Sequence, residues 1–485
     1  MDFLETYGLE LTVPNSSSAS SAGRGGDNVT VSDSHATMTG IAEPDHIQPA
    51  VARLTRQYQA LLLLSGFFMT FHVIGINSVF GIFQELYTSP ETPILDAQRQ
   101  DALVSLVGTI GSGLTWSGSI FVNPLVARVE NLKAITLTGV VLMSLGLILA
   151  SFSTKLYLTQ ALLYGVGSSM YYFPIMSITP IYFDRHRGFA MGVILAGSGI
   201  GGMVIAPTLQ FLLTKYGAPW GLRILGIWNL ATGIPVACVI RHRAGFGSRG
   251  RTRINMGLVK RGTFLYQASF SSRFAPFKLC RLTDHSRPQA AGNVIPTIYL
   301  TSYSVSVLDY SRSTGSLLLA VNSGVNSLSR IAMGILADNV GRQNTMIGSV
   351  FLSGLSVFAL WYNAPRARYI AFIILYAVYA GGYNALLPTT ITEIYGLENY
   401  SSVNGFVYFI RGMGAIFGAP LAGVILGTYK RNGDSPVVLG GINVLQIRFN
   451  NVAVYSGILL VAAGICVSYV RWSDARDKGR WRWKA

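Results

Sequence analysis

Runs of about 20 mainly apolar residues, the length that crosses roughly 30 Å of hydrocarbon, recur twelve times along this chain. No other feature restricts the possible folds so tightly. In hydrocarbon every backbone N–H and C=O must find its partner within the protein, so only helices and closed barrels span. Runs of this length predict helices. They lie near 59–82, 103–124, 133–152, 157–180, 188–213 and 220–240, then 290–308, 315–335, 344–362, 369–391, 402–428 and 450–471. Of the 485 residues, 50% are hydrophobic and 12% are charged, against roughly 25% charged in soluble domains. The expected class is an all-α integral membrane protein whose solvent includes the lipid bilayer.

The net charge of +16 is read as topology rather than nucleic-acid binding, because basic residues collect in cytoplasmic loops of membrane proteins. The segment 241–289 holds eleven Lys or Arg and one acid. "DRHR" (Asp184–Arg187) and the C-terminal tail "RWSDARDKGRWRWKA" are basic too. If spans alternate, these fall on one side. The loop after the first run carries Glu85, Glu91, Asp96 and Asp101 against Arg99, and falls on the other. Both termini and the central segment are therefore expected in the cytosol. The resulting plan is a polar tail (1–55), a six-helix half (56–240), a basic central loop (241–289), a second six-helix half (290–472) and a basic tail (473–485). Two halves joined by a cytosolic loop is a transporter plan. The N-terminal tail is rich in Ser and Gly and lacks an apolar stretch near Met1, so no cleaved signal peptide is expected. Its sequons at Asn15 and Asn28 are idle if the tail is cytosolic. Cys238, Cys280 and Cys466 have neither metal nor redox spacing.

The halves share a local feature. "GILADNVGRQN" (Gly334–Asn344) follows the eighth run as "NPLVARVENLK" (Asn123–Lys133) follows the second. The first of these resembles the G-x-x-x-D-R/K-x-G-R/K-R/K loop of the major facilitator superfamily, with Gly334, Asp338, Gly341 and Arg342 in register. Asn339 and Gln343 depart from that pattern. The resemblance covers roughly 56–472. It implies two six-helix halves with pseudo-two-fold symmetry, and a conformational latch that uses Asp338 and Arg342.

"MGVILAGSGIGGMVIAP" (Met191–Pro207) contains a literal G-x-G-x-x-G at Gly197, Gly199 and Gly202. A dinucleotide fold would need a strand before it and an acid about 20 residues on; neither is present. No phosphate-cradling G-x-x-x-x-G-K-[ST] occurs either, so no nucleotide drives the protein. The wider stretch "YFDRHRGFAMGVILAGSGIGG" resembles the fifth-span signature of the monocarboxylate transporter family. Tyr182, Phe183, Arg185, Arg187, Ala190, Gly192, Gly197 and Gly201 match it, while His186 replaces a second Arg. Small residues let membrane helices approach closely, so these glycines are read as packing positions. In overall style the chain is similar to fungal members of that family, including those that sit beside secondary-metabolite genes.

Charges inside a membrane are costly and mark function by default. Arg330, in "NSLSRIAMG", aligns with an intramembrane Arg that binds the substrate carboxylate in the family. A guanidinium can grip a carboxylate with two parallel hydrogen bonds. The alternative is an Arg that snorkels to the interface near Asp338. The family's proton relay has an Asp one turn before that Arg and a Lys in the first span. Here those places hold Asn326 and Asn77, which take up no proton near neutral pH. His72 stands one turn before Asn77. It is either a substitute proton carrier or a satisfied structural histidine. Arg411, where the family pattern is small or apolar, is either a second anion anchor or a partner for Glu393. Asn384, Asn322, Asn404 and Tyr383 are expected at the cavity or as glue between helices. Pro174, Pro207, Pro296, Pro388 and Pro420 are expected to break helices at a cavity or merely to kink them.

The seventh run is interrupted. "GTFLYQ" is followed by Arg273, Lys278, Arg281, Asp284 and Arg287 before apolar character resumes at Ala290. Removing 268–289 would join the pieces into one span, so this stretch is read as a gene-model error. The other reading is a genuine long loop with a short span. No catalytic constellation or metal spacing is present, so an enzyme is not expected and no cofactor is implied; proton coupling is left open. The expected function is secondary transport of a monocarboxylate or other small organic acid, by default in the plasma membrane. The alternatives are efflux of a neutral, drug-like metabolite and a nutrient sensor that does not transport.

Overall fold

The computed structural model describes residues 56–88, 101–129, 131–152, 157–183, 187–240, 286–427, 438–439 and 442–477. These belong to one unit, Leu54–Ala485. The expected tail 1–55, the basic segment up to 285 and the acidic loop 89–100 lie outside the described residues, as do Cys280 and Arg185.

The backbone hydrogen bonds close into helices throughout, as an apolar solvent requires. The first half runs as α1 (Arg56–Thr88), α2 (Ala102–Val126), α3 (Leu132–Ala150), α4 (157–182), α5 (187–216) and α6 (218–239). The second runs as α7 (Ser286–Ser306), α8 (Arg312–Val340), α9 (Arg342–Trp361), α10 (Arg366–Ile394), α11 (Val403–Leu426) and α12 (Val444–Asp477). The described non-helical ladder is β1 (Val438–Leu439) paired antiparallel with β2 (Ile442–Asn443). Two boundaries need the third dimension. Between α5 and α6 the helical pattern of Arg187–Val239 is broken at Gly217, whose φ of 80° suits a residue without Cβ. Arg366–Leu426 is hydrogen-bonded as one long helix. Asn384 and Arg411, 27 residues apart, would lie about 40 Å apart in a straight helix, yet they share a hydrogen bond. The chain therefore turns back on itself, and α10 and α11 are separate passes.

The seventh pass starts at Ser286 and is 21 residues long, enough to cross. Ser286–Gln289, assigned above to an inserted stretch, are its first turn. The prolines do not break helices. Pro207, Pro296, Pro388 and Pro420 sit inside continuous helix, and Pro174 lies within α4. A proline's fixed φ is compatible with helix, and neighbouring helices can re-satisfy the freed carbonyl.

Eight stretches among the described residues are long and apolar enough to cross a membrane. Helices α4, α7 and α8 fall short of that measure, and all three carry polar residues inward. Large apolar side chains point outward instead, Phe121 at 77% and Leu328 at 71% exposed, as a lipid-facing surface allows. The two halves pack most extensively along two pairs of helices, α5 with α8 and α2 with α11. Both seams are made of small residues. A Cβ on Gly192 would lie 2.9 Å from the Arg330 carbonyl oxygen, and one on Gly199 would collide with the Ser323 carbonyl. On the other seam, Gly412 abuts Gly113 and Ser117, and Ser119 Oγ donates to the Gly405 carbonyl at 2.6 Å. Gly197 and Gly201 face a different neighbour: a Cβ on either would strike the carbonyls of Phe67 or Phe71 in α1. The glycines of α5 thus thin two of its faces, one toward α1 and one toward α8.

Candidate functional site

A central cavity opens between the halves. Among the described residues its wall is drawn from α1, α2, α4 and α5 of the first half and α7, α8, α10 and α11 of the second. None of its lining residues comes from α3, α6, α9 or α12. The same four positions of each half thus line the cavity and the same two are left out, which is the pseudo-two-fold symmetry read at the site. Counting its open mouth, the space between atoms is about 1160 Å³.

Asn77, Asn326, Arg330, Asn384 and Arg411, five of the six residues proposed from sequence to hold substrate, meet on this wall. Arg330 is 7% exposed and Arg411 6%, so Arg330 does not snorkel to an interface. Its Nε donates to Asn326 Oδ1 at 2.9 Å, and its Nη1 donates to the Leu195 carbonyl at 2.7 Å and to Ser198 Oγ. All three acceptors are neutral. Asn326 is itself tied down, its Nδ2 donating to the Ala377 carbonyl of α10 at 3.0 Å. Asn322 does the same one turn earlier, to the Ile373 carbonyl.

Arg411 donates from Nη2 to Asn384 Oδ1, while Glu393 lies 4.0 Å from Arg342 Nη1. The pairing that the structure gives Arg411 is therefore the amide and not Glu393. Its guanidinium carbon stands 5.4 Å from the Trp116 ring centre, 5.3 Å from Tyr383 and 5.9 Å from Tyr408, within cation–π range. Its Nε is buried with no hydrogen-bond partner. The lining residues described include no Asp, Glu, Lys or His, so the wall carries two positive charges.

His72 is set apart from this wall. Its Nε2 lies 2.7 Å from Thr232 Oγ1 and its Nδ1 3.5 Å from the Tyr171 hydroxyl, and Phe71 and Trp228 pack edge-on against it. It sits inside the first half as a hydrogen-bonded core residue. Asn77 donates to the Val73 carbonyl of its own helix at 3.1 Å. Asn322 lines the cavity, whereas buried Asn404 and Tyr383 are not among its lining residues. Sequence reading passed over Trp116, Tyr172, Tyr376 and Tyr408, which line the cavity. A Trp in mid-span, away from the interfacial belts where Trp usually sits, was the available signal for Trp116.

The latch residues gather at the far end of α8. Arg342 Nη2 is 3.4 Å from Asp338 Oδ1. A Cβ on Gly188, in the first turn of α5, would lie 2.7 Å from the same oxygen. The carboxylate thus abuts the N-terminal turn of a helix from the other half, where unpaired N–H groups favour negative charge. Gly334 presses on the Gly188 carbonyl, and Gly341, with φ 110°, makes the turn into α9. Phe183 ends α4 in extended backbone. Tyr182 and Arg187 lie at helix ends; their side chains are outside the description.

Two helical halves around one polar cavity at their seam define a membrane carrier. Residues 60–281 and 288–480 match the family model of the Major Facilitator Superfamily, and the chain belongs to that family. It is a membrane transporter rather than an enzyme. The chain is 27% identical over 417 residues to the agnestins efflux protein AgnL12 of Paecilomyces divaricatus, covering 83% of this chain and 89% of that protein. It is 27% identical over 338 residues to monocarboxylate transporter 12-B of Danio rerio, covering 64% and 69%. A crystal structure of the peptide transporter POT with sulfate superposes with a TM-score of 0.63 at 12% identity, covering 87% of this chain and 95% of that one; that likeness concerns the fold. The match to the family model runs through most of 268–289.

Proposed function

We propose that this protein is a secondary transporter of an organic acid, moved by alternating access of the central cavity to the two sides of the membrane. One observation carries the reading: two buried guanidiniums face the cavity with only neutral partners among the described residues. A buried charge without a counter-ion is expensive. An anionic cargo supplies what the wall lacks, and the aromatic lining of Trp116, Tyr172, Tyr376 and Tyr408 suits a cargo with an apolar body. The efflux named for the fungal relative and the monocarboxylate transport named for the fish relative are both compatible with an acidic metabolite. Asn77 and Asn326 are amides, so any proton coupling uses groups other than these. The charge pattern supports cytosolic termini, and the plasma membrane is the proposed address.

The test is flux of a panel of carboxylates, each beside its neutral amide or ester, in cells lacking their own carriers and at two external pH values. Arg330→Ala should abolish transport of the acids. If Arg330→Ala leaves acid flux intact, Arg330 does not hold the acid; if only the neutral compounds move, the protein is instead an efflux carrier of neutral metabolites. The aromatic wall is the observation that favours this second reading.

A further inference from the structure

The two guanidiniums enter the cavity from different helices, Arg330 from α8 and Arg411 from α11. Each is oriented by its own amide. Asn326 holds Arg330 through Nε, and Asn384 holds Arg411 through Nη2. Orientation by amides fixes direction without removing charge. Donors remain on both. Among the described residues Arg330 bonds through Nε and Nη1 and leaves Nη2 without a partner. Arg411 keeps Nη1, and its buried Nε is unsatisfied. The faces of Arg411 are occupied by Trp116, Tyr383 and Tyr408. With its faces stacked, Arg411 meets a carboxylate through the donors on its edge, a charge-assisted contact.

We propose that the cavity is built for a dianion, an organic molecule with two acidic groups, one on the Arg330 guanidinium and one on the Arg411 guanidinium, and an apolar or aromatic body between them. The proposal rests on the organic-acid reading and makes it narrower. A single carboxylate would neutralise one cation and leave the other in a low-dielectric site with neutral partners. Two acidic groups match the wall's two charges and use the donors left on both residues. The body between them would pack against the aromatic lining of Trp116, Tyr172 and Tyr408. Charges alone give the count and the apolar wall gives the middle.

The experiment compares matched acids of one body: naphthalene-2,6-dicarboxylate with 2-naphthoate, and adipate with hexanoate. Binding is read by thermal shift of the purified full-length chain and by counterflow in liposomes, with and without chloride. The dicarboxylate of a pair is expected to bind about 10-fold or more tighter than its monocarboxylate, the usual scale for a charge-assisted hydrogen-bonded contact. Arg411→Gln is expected to erase that preference by weakening the dicarboxylate far more than the monocarboxylate. Arg411→Lys, which keeps charge but loses the fork, is expected to fall between them and guards against a folding defect. Equal binding of both members overturns the dianion, as does a monocarboxylate that binds only with chloride. So does an Arg411→Gln variant that loses both acids together, because the two arginines would then share one carboxylate. Loss of all acid binding in Arg330→Ala, with no preference in the unmodified chain, overturns the dianion and leaves the organic-acid reading standing. Binding of none of the four acids overturns both.

Discussion

At the scale of single residues, the charge of the site is decided by an amide where the resembling family has an acid. Asn326 accepts from Arg330 Nε at 2.9 Å and gives nothing back electrostatically. Asn326→Asp would place a carboxylate at the same contact and neutralise the arginine. Acid binding should fall by about 10- to 100-fold, the value of a hydrogen bond to a charged group, and titration calorimetry with a bound acid would measure it. His72 makes the opposite case. Its ring bonds Thr232 and lies among aromatic side chains, away from the cavity wall. His72→Ala should therefore lower the melting temperature, at a cost of about 1–3 kcal/mol for the unpaired partner and lost packing, and leave acid affinity unchanged. A shifted affinity would return His72 to the transport machinery. Arg330, Arg411, Asn326 and Asn384 were legible in sequence because a polar or charged side chain in an apolar run has few reasons to be there. Trp116, Tyr172 and Tyr408 were not, because an aromatic residue in a membrane span looks the same whether it fills a core or faces a cavity.

At the scale of elements, α5 carries the most constrained surface. Its glycines serve two neighbours at once, α1 through Gly197 and Gly201 and α8 through Gly192, Gly199 and Gly202. The obstacles differ in kind. A Cβ on Gly202 would meet the Ser323 side chain, with Oγ at 2.6 Å and Cβ at 2.9 Å, whereas one on Gly199 would meet the Ser323 backbone carbonyl as well as Ser327. Gly202→Ala should slow transport, and Ser323→Gly should restore it by clearing the space. The same Ser323→Gly should not rescue Gly199→Ala, because a carbonyl oxygen cannot be deleted. Rates for the two single and two double variants, normalised to surface expression, decide this. The packing role of this helix was readable from its small-residue spacing. The prolines misled, pointing to breaks that continuous helix carries through, while the gap left between the runs ending near 213 and starting near 220 does hold the real break, at Gly217, whose φ is positive.

At the scale of the whole molecule, two contacts between the halves stand at opposite ends of α8. Asp338 abuts Gly188 at one end. At the other, Arg312 Nε meets Glu85 Oε1 of α1 at 3.1 Å. The proposed alternating access would break one while keeping the other. Glu85→Gln should open the Arg312 end more often. A cysteine replacing Ser78, on the cavity wall, should then react faster with an impermeant thiol reagent added on that side; an unchanged rate would mean the ion pair does not hold that side closed.

The two uncompensated guanidiniums also have an electrical consequence. An elementary charge carried through 100 mV is worth about 2.3 kcal/mol. On the proposed dianion transport, two such charges face the empty cavity as it changes sides, and the loaded dianion cancels them. The membrane field therefore acts on the unloaded protein and passes over the loaded one. A voltage step should move charge in the absence of cargo and fall silent when the cavity is filled.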